Sequence, residues 1–395
     1  MTDLLTIEEA LELVLARATP LEAEDLPLDA AVGRVLAEDA RSAVDLPPFA
    51  SSAMDGFALR AADAPGTLPI AARIAAGRPS PRPLEAGEAM AIATGGVVPE
   101  GADTVVPIED VEEGDETVAI SEVKEGANIR PLGGDLRRGE TVVEAGARLG
   151  AAHVGALAAA GAERVRVRRA PRVAVLVTGT ELRAPGEPLG PGEIYDSNGS
   201  ILAAQVRSAG GEPERLPPVA DDADATRAAV ERGLESDVLV TTGGVSVGVY
   251  DLVRAAEAEL GVEEVFWRVA VRPGKPVAFG VRGKTLVFGL PGNPVSSLVG
   301  FELFVRPALL ALQGAREPRP AFRPARLARG ARRVRARDSL LRARTRVEED
   351  EVVAEPLSGQ ESHMIAQAAT ADALVLVPRG EGELEAGSVV RYLSL

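Results

Sequence analysis

The chain has no cysteine, which excludes disulfides, thiolate metal sites and cysteine nucleophiles together. Imidazole is nearly as scarce: His153 and His363 are the only two histidines, so any bound metal is expected to be a hard ion held by carboxylate and phosphate oxygens. Positive charge is in deficit, with 43 Lys and Arg against 59 Asp and Glu and a net charge of −16. That balance argues against binding nucleic acid without sequence preference, which depends on neutralising phosphates. There is no basic-then-apolar start signal and no run of eighteen apolar residues, so a soluble cytoplasmic protein with no membrane partner is expected.

What is present centres on residues 172–313. In order come VTGTEL (Val177–Leu182), IYDSNG (Ile194–Gly199), SDVLVTTGGVSVGVYD (Ser236–Asp251), RPGKP (Arg272–Pro276) and LPGNPVSS (Leu290–Ser297). The first, third and fifth follow short apolar runs and precede helical spacing. That is the form of a parallel α/β sheet whose glycine-rich turns gather at the carboxyl ends of the strands, where ligands bind. At 395 residues the chain is long enough for two to four domains.

Before this region, Thr6-Ile7-Glu8-Glu9 reads as a capping box, and Ile7, Ala10, Leu11, Val14 and Leu15 fall on one helical face that Pro20 stops. Residues 46–142 read as a small inserted β domain, rich in glycine and proline. It carries Asp55 in PPFASSAMDGFAL, Thr94 at the head of a Gly-Gly turn, and Arg130 and Asp135 in NIRPLGGD. A turn aspartate bonding nearby N–H groups, and a surface ion pair, would each account for these residues without function. An Ala-rich helix over Ala151–Ala160 and an edge strand over Arg164–Arg168 follow, with His153 on the helix surface.

Several residues of the central region have the chemistry of an anion site. Strand Val173–Val177 delivers Glu181, and Asp196-Ser197-Asn198 either caps a helix or receives an anion at its amino end. Gly243, Gly244 and Ser246 suit the close approach of a phosphate, although the run matches neither the Rossmann nor the Walker pattern. Asp237 and Asp251 flank it and suit Mg²⁺. From Val265 to Phe301 there is no acid but five cations, Arg268, Arg272, Lys275, Arg282 and Lys284, an inversion that favours an anionic ligand.

Together SSAMDGFA, ATGGVVPEGADTVV, GTEL, IYDSNG, TTGGVSVGVYD, RPGKPVAFG and LPGNPVSS resemble the molybdopterin molybdenumtransferases, the MoeA family, which includes the E domain of gephyrin. The resemblance spans essentially the whole chain. It implies a multi-domain α/β protein: a Mog-like parallel α/β domain (1–20 and 171–316), a β-rich linker domain (21–45 and 143–170), the inserted domain (46–142) and a carboxy-terminal β-barrel (317–395). It implies Mg²⁺-dependent insertion of molybdate into adenylylated molybdopterin with release of AMP, in a homodimer feeding molybdenum-cofactor pathway enzymes. Glu181, Asp237 and Asp251 are the implied Mg²⁺ ligands. Arg268, Arg272, Ser297, Pro291 and Pro294 are the implied molybdate site, and Lys275 with the TTGGVSVG run serves the phosphates. Asp55 and Thr94, with Arg130 and Asp135, would complete a neighbouring subunit's site, and no cysteine or site histidine supports covalent catalysis. An adenylyltransferase activity and a non-catalytic gephyrin-like scaffold are the alternatives. The eleven arginines of residues 319–346, accompanied by Asp338 as the single acid, read as a solvated strand face rather than an RNA patch, since Phe322 is the only aromatic among them.

Overall fold

The structure, a computed structural model, describes residues 4–243 and 252–395. A six-stranded sheet forms the centre of the α/β domain. Its order is Glu212–Arg215, Arg172–Val177, Val238–Thr242, Thr285–Leu290, Ala278–Arg282, Glu263–Trp267. The first four strands are parallel; the last two are antiparallel, so the sheet is mixed where a parallel one was expected. The short Gly283 turn between Ala278–Arg282 and Thr285–Leu290 explains this, because it has no room for a crossover helix.

Period-two alternation divides the strand residues between two apolar layers. Val173, Val175, Val177, Val240 and Phe288 pack with Leu202 and Val206 of helix Asn198–Ser208, with Val295 and Val299, and with Ala10, Leu11 and Val14. Ala174, Leu176, Leu239 and Val287 face helices Ala223–Gly233 and Leu252–Glu259 through Val230 and Val253. With both faces covered, Val238–Thr242 is buried throughout, as a central parallel strand must be.

The amino-terminal helix Ile7–Leu15 joins this core from far away in sequence. Thr6 Oγ1 accepts from Glu9 N (3.1 Å) while Glu9 Oε2 accepts from Thr6 N (2.8 Å), the expected capping box. Residues Pro294–Leu312 are the one described stretch with the length and mean hydropathy, 1.6, of a membrane span, although Glu302 and Arg306 interrupt it and it is no continuous apolar run. Fully 78% of that stretch is buried inside the fold, so it serves as a core helix.

The other cores are smaller. Leu28, Leu36, Val143, Leu149, Leu157, Val165 and Val167 enclose one beneath the antiparallel pair Ala23–Pro27 and Arg164–Arg168. The inserted region forms its own six-stranded sheet around Phe57, Leu59, Met90, Ile92 and Val105. At the carboxyl end, Asp338–Glu348, Glu351–Pro356, Arg323–Leu327, Val389–Ser394 and Ala373–Val377 pair in sequence, and the last returns to the first, closing a five-stranded barrel without free edges. Val271–Arg272 adds to it in parallel, Arg272 opposite Ser339, which ties the RPGKP turn to the barrel.

The arginine-rich stretch is not one solvated strand face. Residues 335–336 form a turn, and Arg342 is 1% exposed, donating to the carbonyls of Met364 (2.5 Å), Gly359 (2.7 Å) and Glu361 (3.1 Å). Burial lowers its guanidinium pKa from the ordinary value. The interactions order the 359–364 segment against the α/β domain.

Candidate active site

A cavity of about 680 Å³ opens at the carboxyl ends of the sheet's strands. Val177, Thr178, Gly179 and Glu181 reach it from one strand, Thr242 and Gly243 from the next, and Pro291, Gly292 and Asn293 from a third. Ser197 and Asn198 bring the amino end of helix Asn198–Ser208 to its wall, and Asn293 and Pro294 bring the amino end of Pro294–Gly300. Both helix dipoles therefore present their positive ends to the same space.

The turns close tightly. Gly243 has φ +92°, and a Cβ there would sit 2.4 Å from the Thr178 carbonyl oxygen, so no other residue fits. Asn198 Nδ2 donates to the Gly292 carbonyl (2.7 Å) and to Thr242 Oγ1 (3.1 Å). Ser297 Oγ lies 3.0 Å from Thr242 Oγ1 and 3.1 Å from the Pro291 carbonyl. Fully buried, Ser297 braces the LPGNP turn and is removed from the expected molybdate contacts. Pro291 and Pro294 do line the cavity.

Three described carboxylates line this cavity: Glu181, Asp196 and Asp221. Asp196 is committed, accepting from Gly199 N (2.8 Å) and pairing with Arg215 (2.8 Å). Glu181 folds over Gly179, where an added Cβ would meet its carboxylate at 2.8 Å. Asp221 accepts from Thr180 Oγ1 (2.8 Å) and was not foreseen; Thr178 bridges to Val219 in parallel, which carries residue 221 alongside residue 180. Among the described residues no set of three or more acidic or histidine ligands is arranged to hold a metal. Two hard carboxylates with open oxygens fit Mg²⁺ in its usual manner, in which substrate phosphates and water supply the remaining ligands. Asp251, Gly244 and Ser246 lie outside the described residues.

Asp237 is not among these ligands. It precedes Val238–Thr242, at the amino end of a strand whose carboxyl end carries the site, about 16 Å away at ~3.3 Å per residue. Arg169 Nη1 and Nη2 donate to its two oxygens at 2.7 Å each, and Arg172 N donates at 2.8 Å. Burial pushes the Asp237 carboxyl up, but these hydrogen bonds and charges outweigh it and hold the group below the usual carboxylate range.

The expected cationic residues separate as well. Arg268, with φ +81°, lays its guanidinium 3.7 Å from the centroid of Trp267 and is a stacking partner rather than an anion ligand. Arg272 faces a second cavity of about 1220 Å³, lined also by Arg329, Arg332, Arg333, Arg335 and Ser339. Pro273 belongs to that cavity and Pro276 to the first, so the RPGKP turn, with Lys275 inside it, is the partition between them. His363 and Ile365 line the first cavity, contrary to the expectation that no histidine stands at the site. They arrive on the segment ordered by Arg342, a long-range contact without local signal in the sequence.

In the inserted domain Asp55 Oδ1 accepts from Thr94 N (2.7 Å) and Thr94 Oγ1 (3.0 Å), bonds that hold its carboxyl below the usual range. Arg130 pairs with Ser51 across a short ladder, and Asp135 N donates to the Leu46 carbonyl, so these residues share one loop cluster. Among the described residues, none from this cluster lines either cavity.

An α/β sheet with two helix amino ends and two open carboxylates at its carboxyl edge, backed by an arginine-lined barrel cleft, defines an enzyme that handles anionic substrates. Residues 5–161 match the MoeA N-terminal region (domain I and II), 174–311 a probable molybdopterin binding domain, and 324–395 the MoeA C-terminal region (domain IV). Molybdopterin molybdenumtransferase 2 of Mycobacterium tuberculosis is 36% identical over 94% of each chain, and the molybdopterin molybdenumtransferase of Bacillus subtilis 34% over 98% of this chain and 93% of its own. A molybdopterin biosynthesis moeA protein from Pyrococcus horikoshii superposes with a TM-score of 0.86 over 100% of both chains at 28% identity. The chain belongs to the molybdopterin molybdenumtransferase family and is a transferase of molybdenum cofactor biosynthesis.

Proposed function

We propose that this protein inserts molybdate into adenylylated molybdopterin and releases AMP, with Mg²⁺ at the phosphates. The observation that carries this reading is that two helix amino ends, the Gly243 turn, Glu181 and Asp221 all meet in one cavity. Backbone dipoles there favour phosphate oxygens, and the two carboxylates favour a divalent ion bridging them. Mg²⁺ held by Glu181 and Asp221 would supply electrophilic polarisation of the phosphoanhydride. The chain's own part is positional. Asn198, Thr242 and Ser297 lock the LPGNP turn, and Gly243 lets the backbone approach the diphosphate. The bond from the pterin-side phosphorus to the bridging anhydride oxygen breaks as an oxygen of water, its proton passing to solvent, or of molybdate bonds to that phosphorus. AMP departs with the bridging oxygen as an anion stabilised by the positive helix ends, and the two dithiol sulfurs take the molybdenum as one molybdate oxygen leaves as water with their protons.

Arg272 is the side of the RPGKP turn that would meet molybdate, since its cavity gathers four further arginines in a chain of net charge −16. The Asp55 cluster of the inserted domain would act in a second copy of the chain. It lines neither cavity, and exposed Phe49, Met54 and Leu132 accompany it, as a homodimer interface requires.

Purified protein would be incubated with adenylylated molybdopterin and AMP measured with and without Mg²⁺ and molybdate. Release that requires both ions is expected. Tight nucleotide binding without AMP release would instead favour a scaffold.

A further inference from the structure

We propose that Tyr195 is the shelf on which the planar heterocycle of the bound nucleotide stacks; this rests on the reading of the first cavity as the nucleotide site. Aromatic residues make up 3% of this chain and are mostly spent in the core, as Phe266, Phe279, Phe288, Phe301 and Phe304 are. Tyr195 is 44% exposed, and with Phe49 it is one of two aromatics that present a large open surface among the described residues. It lines the cavity beside Ile194, itself 54% exposed, in a wall whose next members are Asp196, Ser197 and Asn198.

The ring is held in place before any ligand arrives. Ile194 N donates to the Glu181 carbonyl and Asp196 N to the Arg183 carbonyl, both at 2.9 Å, so the backbone on either side of Tyr195 is fixed in a parallel ladder. The phenol hydroxyl donates to the Glu187 carbonyl at 2.9 Å. That turn is tied down in its own right, since Glu193 pairs with Arg183 and accepts from Gly190 N. A ring anchored at both ends stacks without paying rotamer entropy. With its hydroxyl already bonded, the side chain offers a ligand its face rather than a polar contact.

Spacing favours the same occupant. A phosphate at the helix amino end of Ser197 and Asn198 lies two residues, about 7 Å of extended chain, from Tyr195, comparable to the reach from a nucleotide's phosphate to its ring. Adenine and the pterin are both planar heterocycles of the right class, and the geometry selects the class.

Dissociation constants for AMP, 6-hydroxymethylpterin phosphate and inorganic pyrophosphate, each with Mg²⁺, would be measured on the wild type, Tyr195→Ala and Tyr195→Phe, with a thermal melt of each. Tyr195→Ala should weaken one ring-bearing probe about ten-fold or more, the range for removing one stacking partner, and leave pyrophosphate unchanged. Tyr195→Phe should stay near the wild type, and whichever probe suffers identifies the ring. Equal loss for pyrophosphate, no loss for either ring, or a Tyr195→Phe variant as weak as Tyr195→Ala would overturn the shelf. Failure of the wild type to bind any of the three would overturn the nucleotide site itself.

Discussion

Arg169 grips both carboxylate oxygens of Asp237 at 2.7 Å, at the end of the sheet facing away from the cavity. This pair joins the strand that leaves the linker region to the start of Val238–Thr242, and its distance from the chemistry separates stability from catalysis.

Asp237→Asn should therefore destabilise the fold by about 1.5–3 kcal/mol, the worth of hydrogen bonds to a charged group, and leave AMP release nearly unchanged. Because the folded carboxyl titrates below its ordinary value of 3.8, its contribution is complete above that pH and fades as pH falls through the folded pKa. Denaturant melts of the two proteins should differ by a constant amount from pH 8 to about 5 and draw together only as pH falls below 3.8 through the lowered folded pKa. A neutral-pH variant that is stable but inactive would restore Asp237 to the site.

Glu181→Gln and Asp221→Asn should behave in the opposite way. Each removes an open carboxylate from the cavity without breaking a buried pair, so melts should be little altered. AMP release should fall by about 10²-fold or more and the Mg²⁺ concentration for half-maximal rate should rise. Titrating Mg²⁺ against initial rate checks this, and an unchanged midpoint in both variants would remove them as ligands.

Glu181 was legible in the sequence and Asp221 was not, for a physical reason. Glu181 follows its own strand into a turn, so local periodicity points it at the carboxyl edge. Asp221 is brought there by the pairing of Val219 with Thr178, beside a helix whose start Asp222 caps by accepting from Ala225 N. The capping box, the buried face of the first helix and the glycine turns followed from spacing and turn chemistry. Asp237 was misread because closeness to TTGG in sequence says nothing of which end of a strand a residue occupies. Arg268 was misread because a cation can spend itself on the chain's single tryptophan.

The division of the RPGKP and LPGNPVSS runs between two cavities separates another pair. Arg272→Ala should raise the molybdate KM about ten-fold or more with little change in the melt, since Arg272 is an exposed guanidinium facing the arginine-lined cleft. Ser297→Ala should cost about 1–2 kcal/mol by leaving Thr242 short of a buried partner, with molybdate KM nearly unchanged. Rates against molybdate concentration, paired with melts, distinguish the two. The reverse pattern would return the oxyanion to Ser297.

A site completed by a second copy makes a sharper demand. Asp55→Ala and Glu181→Gln should each be inactive alone, because one lacks the inserted-domain carboxylate and the other the cavity carboxylate. If Asp55 reaches across a two-fold axis, a mixed dimer holds one site with both defects and one with neither. Random re-association of equal amounts makes half the dimers mixed, each with one intact site, so activity should recover to about one quarter of the wild type. The measurement is AMP release after the two variants are denatured, mixed and refolded together, against each refolded alone. Without recovery, in a mixture shown by mass to contain mixed dimers, the Asp55 and Thr94 pair would have to serve its own chain or a structural purpose in its loop.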